Sequence, residues 1–148
     1  NNTYNLGSSG LKFATLYATT HTSSSADLAE KYTSDSEYSV GTVVIFGGDK
    51  EITQSTIAED TRVAGVISDE PAFIMNDESE GQTVALIGKI KCRVHGNVNK
   101  GDLLTTSGQI PGCARKSWTP KAGSIIGKAM ETYVGDKETV ILISVGRQ

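Results

Sequence analysis

The sequence predicts a mainly β protein, with a short fibrous β arm followed by a compact domain of many short, mostly antiparallel strands. Three observations carry this expectation. Thr and Ser number 16 and 15 among 148 residues, against three Phe, one Trp and two Met, a composition that favours strands and turns over long helices. Short runs rich in β-branched residues follow one another at roughly the 8–12-residue spacing of a β-sandwich or a barrel. Turn strings such as Gly47-Gly48-Asp49-Lys50 and Asn99-Lys100-Gly101-Asp102 separate those runs, and glycine supplies the positive φ that tight connections need.

In chain order, residues 1–20 hold a Gly7-Ser8-Ser9-Gly10 turn and then Leu11, Phe13 and Leu16, a period-two spacing that shifts, as in a short strand with a bend. So thin a segment cannot bury its own apolar face. It is either a frayed arm lying on the main domain or the last turn of a fibrous β structure whose core is shared between chains. Residues His21 to Ala26 carry Thr or Ser at four of six places and read as a linker, so the arm and linker span 1–26 and the C-terminal β domain 27–148. Asp27 to Tyr38 mixes acids, bases and hydroxyls and fits one helical turn or an irregular strand. Strands are then expected at 40–46, 51–56, 62–68, 72–75, 82–95, 102–106, 113–117, 124–132 and 138–145. The second half of the long run alternates Ile90, Cys92 and Val94 with Lys89, Lys91, Arg93 and His95, predicting one buried and one cationic face.

Composition also excludes. At this length one domain buries roughly 68–70% of its unfolded surface, so no disulfide or metal staple is required. Residues 1–80 hold 13 acidic and four basic side chains, while 81–148 hold four acidic and ten basic. The halves can neutralise each other within a domain or between copies. Neither half has a Lys/Arg run interleaved with aromatics, so nucleic acid is not an expected partner. The longest apolar stretches, such as Val43-Val44-Ile45-Phe46, are far short of the ~20 residues of a membrane helix, and no membrane insertion is expected. Cys92 and Cys113 lack paired C-x-x-C spacing, which leaves two buried free thiols or one disulfide open. With His21 and His95 they form no metal-ligand cluster, and no phosphate loop or nucleophile elbow is present, so no cofactor is expected. The chain begins without Met, which reads as a piece of a longer protein.

One stretch carries chemistry. Ser25-Ala26-Asp27-Leu28-Ala29-Glu30-Lys31-Tyr32-Thr33-Ser34-Asp35, followed by Gly41-Thr42-Val43-Val44-Ile45-Phe46-Gly47-Gly48 and by Arg62-Val63-Ala64-Gly65-Val66-Ile67-Ser68-Asp69-Glu70-Pro71-Ala72-Phe73-Ile74-Met75-Asn76, resembles the C-terminal domain of bacteriophage tail fibres and neck appendages. That group is related to the self-cleaving intramolecular chaperones of the G2 peptidase family. The upstream Leu6-Gly7-Ser8-Ser9-Gly10-Leu11-Lys12-Phe13-Ala14-Thr15-Leu16-Tyr17 is similar to a short repeat that precedes this domain in trimeric phage fibres, so the two resemblances span nearly the whole chain. They imply a homotrimer that aligns three chains so that an upstream fibre shaft folds in register, in a virion protein assembled in the host cytoplasm. In self-cleaving members the domain cuts itself off before the Asp of the D-x-A-E motif. That places the scissile bond at Ala26–Asp27 with Asp27 and Glu30 as an acid/base pair and Ser25 as a hydroxyl neighbour, so the only enzymatic activity implied is a single endopeptidase cut of the chain's own backbone.

The chemistry stands on its own terms, because carboxylates three residues apart can share one side of a turn and a desolvated one holds a proton near neutral pH. Where self-cleaving appendages are expected to have Ser before the Asp, however, this chain has Ala26, whose methyl group is no nucleophile. The competing reading has Asp27 capping the next turn and Glu30 paired with Lys31, Lys50 or another chain. A further alternative is an uncleaved fibre tip that attaches to a host surface receptor through exposed aromatics, for which Tyr32, Tyr38, Trp118 and Tyr133 are the candidates.

Overall fold

A computed structural model describes residues 4–146. Among them it has ten strands and no helix: β1 (Asp27–Tyr32), β2 (Val43–Phe46), β3 (Ile52–Gln54), β4 (Val63–Ile67), β5 (Phe73–Met75), β6 (Gln82–Val94), β7 (Leu103–Thr106), β8 (Ala114–Lys116), β9 (Ile125–Ala129) and β10 (Thr139–Val145). A strand lies within every range expected after residue 40. Asp27–Tyr32 is the segment whose state the sequence left open, and it is a strand.

The protein is all-β, and five of its strands close a barrel. β6 pairs with β10 over seven residues, β10 with β9, β9 with β7 and β7 with β8, all antiparallel. β8 returns to β6 through the parallel pair Val94↔Ala114. Closure removes the free edges that an open sheet would present. The first half of β6 projects beyond the barrel, with β1 on one edge and β4 on the other; β2 and β3 extend from β4, and β5 runs parallel to β1.

Alternation sorts these strands into two cores. Ile90, Cys92 and Val94 of β6 point inward with Leu104, Ile126, Ile141 and Ile143 to fill the barrel, and Val43, Val66 and Ala85 continue that core under the extra strands. The opposite face of β2, β4 and β6 turns Val44, Ile67 and Val84 into a smaller core with Ile52, flanked by Tyr32, Tyr38 and Leu86. Lys89 and Lys91 are exposed on the outer face, and Arg93 there holds Glu138 in a two-pronged ion pair at 2.6 and 3.0 Å. His95 departs from the expected cationic face. The strand stops at Val94, so alternation no longer governs the next residue, and His95 is buried. Both cysteines are buried free thiols.

The connections follow the expected turn chemistry. Between β2 and β3 the Gly47 N–H donates to the Glu51 carbonyl at 3.1 Å. A side chain at Gly48, which has φ +83°, would lie 2.8 Å from a carboxylate oxygen of Asp35. Before β7, the Asp102 carboxylate accepts the Asn99 N–H at 2.9 Å.

The arm differs from expectation. Its described residues form no strand, only the single bridge Ser8↔Leu11. Tyr4, Leu6, Leu11, Phe13, Leu16 and Tyr17 are all at least 62% exposed. The period-two spacing is present without a neighbouring backbone to pair with, and an unpaired strand has nothing to hold it. Lys12 reaches Glu78 on the domain, in an ion pair between two exposed side chains.

Barrel packing sets the stability. Leu104→Ala, which empties a fully buried site, should lower the unfolding free energy by about 2–5 kcal/mol. Val134→Ala, on the surface, should stay within about 0.5 kcal/mol of wild type. Urea denaturation followed by far-UV circular dichroism measures both.

Candidate active site at the Ala26–Asp27 bond

The bond singled out by the sequence lies where the barrel meets the extra strands. β1 and β10 meet β6 from opposite edges at one residue, with Asp27 and Val145 each opposite Gly88. Gly88 has φ +124°, and a Cβ built on it would lie 2.1 Å from the Ala26 carbonyl oxygen and 2.7 Å from the Asp27 Cα. Only glycine admits so close an approach. The Lys89 N–H donates to the Ala26 carbonyl at 3.3 Å, and the Ala72 N–H donates to the Asp27 carbonyl at 2.8 Å. The bond is thus clasped between β6 and the segment leading into β5.

Asp27 is 5% exposed, and its Oδ2 has no hydrogen-bond partner. Burial pushes its carboxyl above the ordinary range; the Ser68 hydroxyl opposes this and the nearby Asp69 charge reinforces it. A carboxyl whose proton is held more tightly in this way is better placed to protonate a leaving amide nitrogen. The Lys89 N–H, already on the Ala26 carbonyl, lies where negative charge develops when that carbonyl is attacked.

Glu30 is placed otherwise. Strand alternation turns Asp27 and Ala29 inward and Leu28 and Glu30 the other way, so a single chain does not bring the two carboxylates onto one side. The turn that would have done so is a strand. Glu30 accepts the Tyr32 hydroxyl at 2.8 Å instead of a lysine, and burial together with that carboxylate pushes the Tyr32 phenol up to about 12. Lys31 pairs with Asp77 at 3.2 Å. Asp27 caps no turn, since it opens β1. Ser25 is half-buried, and its N–H donates to the Ser23 hydroxyl at 3.1 Å.

No protein-family model matches the chain, and a search among curated proteins returns no match.

Gly88, Ser68, Asp69 and the Lys89 amide join the site unforeseen. Gly88 carried a legible signal, because an isolated glycine inside a strand pattern marks a bulge or a close backbone approach. Ser68 and Asp69 carried none, being 41 and 42 positions from Asp27. Among the described residues no three His, Cys, Asp or Glu side chains group to hold a metal ion. Of the four aromatics considered for a receptor surface, Tyr32 and Tyr38 line the small core and Tyr133 packs on the barrel, while Trp118 is 73% exposed.

The raised Asp27 carboxyl has a sign that can be checked. Its stability contribution is fully present below the unfolded-state value of 3.8 and is lost as pH rises through the higher folded-state value. Asp27→Asn removes the charge, so the variant should melt above wild type at pH 7 and the gap should close as pH falls toward 4. Thermal melts across that range measure it; a variant that melts below wild type at pH 7 contradicts the assignment.

Proposed function

We propose that the chain is a C-terminal trimerisation and folding domain of a fibrous phage tail protein, with one self-cleavage at Ala26–Asp27 as its single chemical act. The observation that carries the assembly role is the arm. Six large apolar or aromatic side chains between Tyr4 and Tyr17 stay at least 62% exposed on a domain that has already completed its own two cores. Fully burying a large apolar side chain is worth about 1.5–3 kcal/mol, so arms brought side by side have a strong reason to associate. A domain that folds alone and holds three arms together raises their effective concentration and lets register be set once.

The cleavage role is supported by the buried Asp27, its carboxyl raised by desolvation, and by the clasped Ala26 carbonyl, together with the resemblance of Ala26-Asp27-Leu28-Ala29-Glu30 to the cleavage motif of the appendage chaperones. Glu30, turned away from Asp27 within one chain, is the residue on which this part of the proposal is most exposed to test.

Sedimentation velocity should give a trimer at micromolar concentration, and a monomer would overturn the assembly role. The triple variant Leu11→Ser, Phe13→Ser, Leu16→Ser should sediment as a monomer that keeps the wild-type β circular dichroism. For cleavage, the chain is expressed behind a longer fibre segment and its mass measured. A product starting at Asp27, absent in Glu30→Gln, supports self-cleavage. An intact mass after long incubation removes it and leaves assembly standing.

A further inference from the structure

A cleft of about 600 Å³ opens at the other side of the barrel, between the segment that leaves β6, the β7–β8 turn and the exit of β8. Asn97, Gln109, Arg115, Lys116 and Trp118 line it, with His95 at its base.

The base is rigid and uncharged. The Ser107 hydroxyl oxygen accepts the Gln109 N–H at 3.0 Å and the Ile110 N–H at 3.1 Å. Both of its lone pairs are then in use, so its proton must go to His95 Nε2, 2.5 Å away. His95 is therefore the neutral tautomer protonated at Nδ1. Burial and the neighbouring Arg115 both hold it in that form.

The cations of the rim are each paired with a carboxylate. Arg115 Nη2 donates to Glu59 at 3.2 Å, and Lys116 Nζ donates to Asp102 at 3.0 Å. Glu59 is shared with Lys121 at 3.0 Å, and each cation keeps spare N–H groups. Lys116 Nζ lies 4.7 Å from the centre of the Trp118 ring, which steadies the ring from one face and leaves the 73% exposed side chain as a platform. The Asn97 amide oxygen takes the Gly135 N–H at 3.0 Å, so its NH₂ remains a donor, and the exposed Gln109 amide offers both a donor and an acceptor.

A flat apolar surface ringed by uncharged donors and acceptors is complementary to a pyranose, which has one C–H face and a rim of hydroxyls. It is poorly matched to a polyanion, because both cations already carry carboxylates, and to a lipid, because the cleft is open and polar at its rim. We propose that this cleft binds an uncharged saccharide, one ring stacked on Trp118 with its hydroxyls on Gln109, Asn97 and Arg115. The site uses none of the residues around Ala26–Asp27, and it stands whether or not the chain cuts itself.

Trp118 is the sole tryptophan, so its emission reports the cleft directly. The full chain is titrated with glucose oligosaccharides, N-acetylglucosamine oligosaccharides and, as a charged probe, oligogalacturonate, each up to its solubility limit. A saturable shift in emission with a neutral series, and weaker or no response to oligogalacturonate, is expected. Gln109→Ala should weaken that binding roughly five-fold. Trp118→Ala should lose retention on the corresponding immobilised sugar while keeping the wild-type melting temperature. No saturable response to either neutral series, tighter binding of oligogalacturonate, or unchanged affinity in Gln109→Ala would each overturn the proposal.

Discussion

The fold depends on one strand having room on both of its edges. β6, 13 residues long, is the seam between barrel and extra strands, and its backbone groups are divided among β1, β4, β8 and β10. β1 and β10 reach this strand from opposite edges, and both registers include Gly88. β1 can come so close there only because Gly88 has no side chain: a methyl group would strike the Ala26 carbonyl and the Asp27 Cα. Asp27, drawn against β6 by this approach, is buried, and one of its carboxylate oxygens has no partner.

What the sequence made legible was local, and what it hid was long-range. Val43-Val44-Ile45-Phe46 and the alternating end of β6 announce strands through β-branched residues and period two. Asp27-Leu28-Ala29-Glu30-Lys31-Tyr32 announces nothing of the kind, because its strand state is imposed from outside by pairing with β5 and β6. That imposition is also why Asp27 and Glu30 part: the three-residue spacing aligns them in a turn and opposes them in a strand. Barrel closure was beyond reach for a related reason. Periodicity tells which face of Ile141 or Ile143 turns inward, and says nothing of the fact that β10 must find β6 some fifty residues back. His95 shows the opposite error, a pattern carried one residue past the end of the strand that produced it.

The charge asymmetry between the halves also acquires a place. Within one chain the acidic and basic halves meet at Glu59, whose carboxylate receives both Arg115 and Lys121. Lys116 is held by Asp102, and Arg93 by Glu138. These pairs are only partly exposed, and each fixes the position of a cation. Glu59 and Asp102 orient the cations beside Trp118, and they leave Lys89 and Lys91 as the outward charges of β6.

Barrel closure by β10 also orders events during synthesis. β6, β7, β8 and β9 are all made before residues 139–145, and none of them can complete the ring. On the ribosome the arm therefore emerges long before its own domain can fold, and its apolar side chains wait beside an unfinished sheet. Only when β10 has been translated can the barrel close and the arm extend from a folded domain. The topology thus imposes a delay between synthesis of the arm and completion of the folded domain that carries it.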